Sequence, residues 1–493
     1  MQSTTIALSL GALSFILLRT IFRKAKGSLP PGPPGLPLIG NVLDMPSTME
    51  WLKFADWGAK WGDICSVSLF GQPIVILNSA TIIEDLNENT AAFSTRPRLP
   101  MAGELVGYDQ TLVLIPYGPR FRTYRKYFAN QIGSLGGVQQ VIVMETEIHR
   151  FLKRLLLNPG ADAISNHLRK LTGAIILRIT YGIEVQEEND PFVTLIEKAN
   201  NNFNAATQPG KGAFLVDVFP AMLRIPEILA PFKQTARIWA RETKHMVEAP
   251  YHFVRQQMTS GTAPISFVSS LLKEEEKLSE EDLRDIKFTA ASFYGGGADT
   301  SAAAMQAFFL AMVLAPEVQR EAQTEIDSVV GTTRLPLFSD REQLPYVSAV
   351  VTELLRWHSV APLGVPHAAM EDTVINGHFI PEGSVIIANL WNILNDPETY
   401  PKPDKFDPTR YLRPFPQRDP RTVCFGFGRR VCPGKYLAEV SLFCTVASIL
   451  ATFDISRAPG PLPVHENTQG TISHPKPLDC VVKPRSDHAV TLI

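Results

Sequence analysis

The chain of 493 residues has length for about three average domains or for one large enzyme domain. Its 47 Lys and Arg against 49 Asp and Glu leave a formal charge of −2, so no overall basic field exists to hold nucleic acid. At 45% hydrophobic and 19% charged it can bury a core, and its 5 cysteines, an odd number scattered along the chain, do not make a disulfide framework.

From Met1 to Leu18 no residue is charged, and the apolar run Thr5 to Phe22 is broken only by Arg19, which can snorkel. That is close to the ~20 residues a helix needs to cross a bilayer. Arg19, Arg23, Lys24 and Lys26 follow the run and nothing basic precedes it. Residues 1–28 are therefore expected to be an uncleaved single-pass anchor with a basic stop, leaving the rest of the chain cytosolic. Residues 29–40 hold Leu29-Pro-Pro-Gly-Pro-Pro-Gly-Leu-Pro37, which reads as a stiff non-helical hinge. Residues 41–493 read as a single unit, since no repeat with a period of roughly 20 to 50 residues is visible.

Within that unit, Ile64 to Phe70 and Pro73 to Leu77, parted by Gly71, predict a hairpin, and most of the middle of the chain reads helical. The strongest predicted helix runs from Ser279 to about Leu314, with a Ser279/Asp282 capping box, acidic residues in its first turn and Pro316 as its stop. Gly295-Gly-Gly297 sits halfway along it at a cost of about 1 kcal/mol per glycine relative to alanine. Either a close helix contact or an open site requires backbone without side chains there. A second helix is expected from Pro345 to Trp357 and a third from Pro433 through Leu450.

The most specific stretch is Phe425-Gly-Phe-Gly-Arg-Arg-Val-Cys-Pro-Gly434. Its glycines permit a tight turn that delivers Cys432 to the start of the third helix, where the helix dipole is expected to lower the thiol pKa. A lone thiolate without a Cys-x-x-Cys partner suits haem iron better than zinc or an iron–sulfur cluster, and Arg430 stands two residues away to meet a porphyrin carboxylate. The bland alternative is a buried structural cysteine. Gly426-x-Gly428 is not a dinucleotide loop, because the third required glycine is Val431.

Phe425, Gly428, Arg430, Cys432 and Gly434 match the signature Phe-x-x-Gly-x-Arg-x-Cys-x-Gly, and through it the chain resembles the haem-thiolate monooxygenases of the cytochrome P-450 superfamily, in particular fungal microsomal members. Gly296-Gly-Ala-Asp-Thr300 is similar to the family's oxygen-activation segment, Glu353-Leu-Leu-Arg356 to its Glu-x-x-Arg motif, and Phe406-Asp-Pro-Thr-Arg410 to the segment whose arginine completes that ion-pair network. The resemblance implies a mainly α fold with small β-sheets, and haem b (iron protoporphyrin IX) held axially by Cys432. Phe425, Gly426, Gly434 and Ala298 would lie against the haem, with Arg430, Arg125 and His367 at its carboxylate edge. The family usually has Trp where this chain has Phe121. Asp299 and Thr300 are the implied proton relay, in a helix locally opened beside the haem.

The same resemblance implies O2 as co-substrate and NADPH used indirectly, through an NADPH-cytochrome reductase, with cytochrome b5 as an additional partner. Arg120, Arg122, Arg125, Lys126, Arg429 and Lys435 are candidates for the reductase-docking face. By position, Phe293, Tyr294, Val360, Leu363 and Ile472 should line a substrate pocket suited to a lipophilic small molecule. The expected setting is the endoplasmic reticulum membrane, a monomer, no nucleic acid, and hydroxylation in fungal specialised metabolism of the terpenoid, polyketide or indole kind. A non-oxygenating haem-thiolate isomerase or dehydratase, or a non-catalytic haem binder, is the alternative.

Overall fold

Helical periodicity governs most of the chain after the expected hinge. The computed structural model describes residues 27–88, 91–133, 138–208 and 214–493, so the expected anchor, apart from residues 27 and 28, lies outside the described residues. The principal helices are α1 (Glu50–Trp61), α2 (Ala80–Glu88), α3 (Pro119–Ile132), α4 (Val138–Leu157), α5 (Ala161–Tyr181), α6 (Pro191–Thr207), α7 (Pro231–Thr259), α8 (Glu280–Leu314), α9 (Pro316–Val329), α10 (Pro345–Trp357) and α11 (Lys435–Thr452). The strands are β1 (Ile64–Leu69), β2 (Gln72–Leu77), β3 (His367–Ala368), β4 (Thr373–Ile375), β5 (His378–Ile380), β6 (Val385–Ala388), β7 (Phe453–Arg457) and β8 (Cys480–Pro484).

The expected capping box opens α8. The Asp282 N–H donates to Ser279 Oγ at 3.1 Å, and the Ser279 N–H donates to the Asp282 carboxylate at 3.0 Å. At 35 residues the helix is about 50 Å long, and it packs against α3, α5, α6, α7, α10 and α11. From Ala302 to Val313 it is apolar but for Gln306 and almost wholly buried, and α11 is mostly apolar and buried beyond Glu439, the mark of helix segments inside a core. Both are long and apolar enough to cross a membrane, but 67% and 78% of their apolar windows lie buried within the body. The second predicted helix starts and ends where expected. The third begins at Lys435 rather than directly after Pro433, with Gly434 as its N-cap.

The predicted hairpin is β1 and β2, paired antiparallel from Ile64 opposite Leu77 to Leu69 opposite Gln72. Its two turn residues, Phe70 and Gly71, have φ of 49° and 84°, the left-handed pair that matches the twist of a tight hairpin. The hairpin belongs to a four-stranded sheet ordered β1-β2-β6-β3, in which β2 and β6 run parallel; β4/β5 and β7/β8 form two-stranded sheets. The proline segment expected as a spacer runs along the β1 edge of this sheet. The Ser66 N–H donates to the Pro31 carbonyl at 2.9 Å and the Ser66 hydroxyl to that of Pro30 at 2.6 Å. A Cβ on Gly32 would stand 1.8 Å from the Ser66 carbonyl oxygen, so only glycine fits. One large core joins α4, α5, the second half of α8, α9, α10 and α11; another joins α3, α5, α6, α7 and the first half of α8.

Candidate active site

The segment between the sheets and α11 forms the turn expected around Cys432. Gly426 and Gly428 take φ of 78° and 59°, left-handed positions that a side chain would strain, and the Cys432 N–H closes the turn on the Phe425 carbonyl at 2.8 Å. The turn places Cys432, Phe425, Gly426, Phe427 and Gly434 on the wall of a cavity of about 400 Å³. The expected lowering of the Cys432 pKa is corrected. Burial pushes the thiol up, and the Gly434 N–H, Arg125 and Lys435 pull it back only in part. Cys432 lies two residues before the Gly434 cap, outside the first turn of α11. Direct coordination to a metal cation, which deprotonates a thiol outright, would supply what the helix end does not.

Three guanidinium groups line the same cavity: Arg96, Arg125 and Arg430. Arg430 donates to the carbonyls of Ser94 (2.6 Å), Leu112 (3.2 Å) and Ile115 (2.6 Å); Arg125 donates to Val431 (2.6 Å), and Arg96 to Val113, Val365 and Pro366. Among the described residues none of the three has a carboxylate partner. Burial pushes Arg430 down to about 10, with Arg125 adding to it, and burial likewise lowers Arg96. Buried cations without counter-charge are costly, and a ligand bearing two carboxylates would relieve that cost. A dianionic haem therefore fits this donor set, with Cys432 left to its iron. Phe121, standing where the family usually has tryptophan, has the Arg430 guanidinium over its ring at 4.0 Å. His367 is buried, stacked on Phe427 at 4.4 Å, and bonded through Nδ1 to the Phe93 carbonyl at 2.7 Å. Burial, then Arg96, holds its pKa far below the usual range. The neutral ring therefore offers Nε2 as an acceptor, and only the imidazolium could donate to a carboxylate.

The opposite wall is α8. A Cβ on Gly295 or Gly296 would meet nothing within 4 Å, whereas one on Gly297 would stand 2.6 Å from Ile176 Cδ1 on α5. The glycine run thus serves both purposes: two glycines keep the cavity open and one admits a neighbouring helix. The expected local opening of α8 is not present: the helix is continuous through this segment. Within it the Thr300 hydroxyl donates to the Gly296 carbonyl at 2.8 Å. Asp299 and Thr300 both line the cavity, as do Phe293, Val360, Leu363 and Ile472.

Two expected contacts are not made. Tyr294 points away from the cavity, fully buried against Tyr181 with its hydroxyl bonded to the Phe192 carbonyl. Ala298 is buried in the core shared with α5 and does not line the cavity. Both sit on the face of α8 opposite the open glycines, which residue count along a helix could have revealed. The basic patch expected to meet a reductase is also smaller than the sequence implies. Arg120 is paired with Asp285 (3.2 Å) and Glu281 (3.3 Å), and Arg125 turns inward, leaving Arg122, Lys126 and Arg429 exposed and Lys435 partly so.

Behind the cysteine turn, Glu353 is completely buried and saturated. Arg356 donates to it twice at 2.8 Å, Arg410 at 3.2 Å, the Tyr411 hydroxyl at 3.0 Å and the Asp407 N–H at 2.9 Å. The remaining guanidinium hydrogens of Arg356 and Arg410 reach the carbonyls of Leu394, Pro401, Lys402, Pro403 and Lys405. The network ties α10 to the irregular chain leading into the cysteine turn. Sequence reasoning missed Arg96, Asn200 and Asn204 on the cavity wall. The Arg96-Pro97 pair in an extended segment was the one available signal; Asn200 and Asn204 share a helix face at i, i+4 that only the fold orients.

A cysteine thiol on a glycine turn, facing a helix wall across a cation-rimmed cavity, defines a haem-thiolate protein. Comparison with known proteins agrees: the family model for cytochrome P450 matches residues 30–482. Cytochrome P450 monooxygenase 208 of Postia placenta is 47% identical over 99% of this chain and 96% of its own length. Cytochrome P450 monooxygenase claR of Ampulloclitocybe clavipes is 43% identical (99% and 92%), and CLM2 of Gibberella zeae 40% (99% and 95%). The chain belongs to the cytochrome P450 family. It is a haem-thiolate monooxygenase, which uses haem, dioxygen and electrons supplied by a reductase to act on a small molecule.

Proposed function

We propose that this monooxygenase inserts oxygen, most simply by hydroxylation, into a lipophilic molecule of fungal specialised metabolism, while tethered to the endoplasmic reticulum membrane by residues 1–28. The carrying observation is the cavity, whose wall is mainly apolar from Ile175, Ile176, Phe203 and Met246 to Ile472. Asn200, Asn204, Thr111 and Ser301 are among the uncharged polar groups on that wall, enough to orient an otherwise apolar guest. Support for the membrane setting comes from the exposed Leu215, Phe219, Ile228 and Leu229, with Phe70 of the hairpin turn packed edge-on against Phe219 at 4.7 Å. Those residues suit an apolar entrance facing lipid.

Bound haem supplies the oxygen chemistry; the chain's own residues bind, orient and deliver protons. Cys432 would ligate the haem iron, Arg96, Arg125 and Arg430 would neutralise the haem carboxylates, and Asp299 with Thr300 passes protons to the cavity from the α8 wall. Arg122, Lys126 and Arg429 present the positive surface for the reductase, with cytochrome b5 as a second donor and the chain acting as a monomer. The test joins two measurements on membranes carrying the full chain. The carbon monoxide difference spectrum of the reduced protein should show the thiolate-type Soret band and lose it in Cys432→Ala. Incubation with reductase, NADPH and a terpenoid, polyketide and indole panel should give a product one oxygen heavier, with Thr300→Ala consuming NADPH while forming less of it. A thiolate-type band in Cys432→Ala would move the ligand role elsewhere, and a fully coupled Thr300→Ala would remove Thr300 from the relay.

A further inference from the structure

The loop between β7 and β8 returns to the cavity at Gly470 to His474 and is fixed there from three sides. The Ile472 N–H donates to Asn204 Oδ1 on α6 at 3.0 Å, and the hydroxyls of Thr471 and Thr207 meet at 2.7 Å. The Ser473 N–H donates to the Val360 carbonyl beyond α10 at 2.8 Å. On α8, His474 Nε2 lies 3.1 Å from Asp299 Oδ1 and His474 Nδ1 lies 3.1 Å from Gln306 Oε1. Asp299 and Gln306 are seven residues apart, two turns along one face of α8, so a single imidazole bridges both. Asp299 lines the cavity and His474 does not, so the imidazole stands behind the carboxylate. The side chains of His474 and Asp299 keep 16% and 18% of their surface exposed, which leaves the pair within reach of water.

We infer that His474 is a positioning residue of the proton relay, holding Asp299 in place and replenishing its proton from the outer side. The inference rests on the relay role proposed above for Asp299 and Thr300. Gln306 Oε1 accepts from the Nδ1–H, which leaves Nε2 as the nitrogen that gains and loses a proton. In the step itself, the Nε2–H bond of the imidazolium breaks as an Oδ1–H bond forms on Asp299, and the ion pair becomes a neutral acid beside a neutral imidazole. The acid releases its proton toward Thr300 Oγ and the cavity, and water returns one to Nε2. The same short loop carries Ile472 on the cavity wall, so substrate contact and proton supply share one support.

The experiment uses the full-length holoenzyme with reductase and NADPH, and dioxygen itself as the probe, so that no substrate need be known. Oxygen consumption, peroxide released per dioxygen, and their change in heavy water are compared for wild type, His474→Gln and Asp299→Asn, after the carbon monoxide spectrum has shown equal thiolate-ligated haem. Glutamine keeps a donor of similar reach but cannot carry a proton. Asp299→Asn, which removes the relay's own acid–base group, is expected to slow oxygen consumption by about 10²-fold or more, and His474→Gln, which acts through it, by about tenfold, both with more peroxide and a larger solvent isotope effect. Thermal unfolding of the two single variants and the double variant should be non-additive, a readout independent of turnover. If Asp299→Asn alone slows the reaction, His474 has no part and the relay stands; if neither does, the relay reading itself fails. A faster His474→Gln enzyme would make the imidazole a latch on Asp299 and overturn the inference, as would additive unfolding shifts.

Discussion

The two sides of the cavity are built on opposite terms. On the cysteine side, Glu353 is wholly buried and accepts five hydrogen bonds, and Arg356 and Arg410 direct their remaining donors to backbone carbonyls and the Gln417 side-chain oxygen. On the α8 side the helix offers bare glycines, a threonine bonded back to its own turn, and a carboxylate reaching a histidine from a distant loop, partly exposed. The first arrangement fixes one geometry. The second leaves room and water for guests and protons to pass. One side is dispensable for proton movement and the other for folding, and substitutions should separate them.

The largest expected effect is on the fixed side. Glu353→Ala leaves two buried guanidinium groups facing no carboxylate, a loss of about 3–5 kcal/mol for a broken buried pair. Little holoprotein should be recovered, and what is recovered should unfold at lower denaturant. Haem content and a urea titration check this; normal values for both would show that the backbone carbonyls alone can hold Arg356 and Arg410. Glu353→Gln, which keeps an acceptor but no charge, should fall between.

This contrast also explains what could be seen in the sequence alone. The cysteine turn is contiguous, and its left-handed glycines and lone thiol carry their geometry in ten residues, so Cys432, Arg430 and Gly434 were legible. The capping box and proline stop of α8 were equally local. What stayed hidden depends on distant chain segments. Arg96 lies far from Arg430 in sequence, His474 sits in a loop without periodicity, and Tyr294 and Ala298 share the glycine-rich segment but face the other way. The thiol's raised pKa was missed for a different reason, since helix-end electrostatics can be read from sequence and burial cannot.

A smaller effect should split the glycine run itself. Gly297→Ala brings a methyl to 2.6 Å from Ile176 Cδ1, an overpacked contact worth about 1–3 kcal/mol. Gly296→Ala meets open space and gains helix propensity of up to about 1 kcal/mol. Thermal unfolding should therefore fall in the first and hold or rise in the second, while substrate-induced spectral change should weaken only in the second, whose methyl enters the cavity. Ile176→Ala should restore stability to Gly297→Ala. Equal behaviour of the two variants would mean that α5 yields freely and that the close approach of the helices constrains nothing.

The smallest effect at neutral pH, and one that grows in acid, belongs to the base of the mobile-proton side. At the end of α10, His358 bonds through Nε2 to the Ser473 carbonyl at 3.1 Å and through Nδ1 to His465 Nε2 at 3.3 Å, and His465 stacks on Trp357 at 3.8 Å. His358 must be neutral for this chain of bonds, accepting on Nδ1 from His465 and donating from Nε2 to Ser473. Burial, then His465, lowers His358 to about 3, and burial, then Arg356, lowers His465 to about 4, from an ordinary 6.5. Below pH 6.5 the unfolded chain takes up protons that the folded one refuses, so folding stability falls as pH drops from 6.5 toward 3 and is unaffected above. Because the pair anchors the loop bearing Ile472 and His474, hydrogen exchange in mild acid should accelerate in residues 465–474 before it does in the Glu353 network. His465→Phe, which keeps the stack on Trp357 and removes one titrating ring, should reduce the slope of stability against pH. Simultaneous loosening of both sides in acid would show that the cavity's two walls open as one unit, and the division between a fixed side and a mobile one would fail.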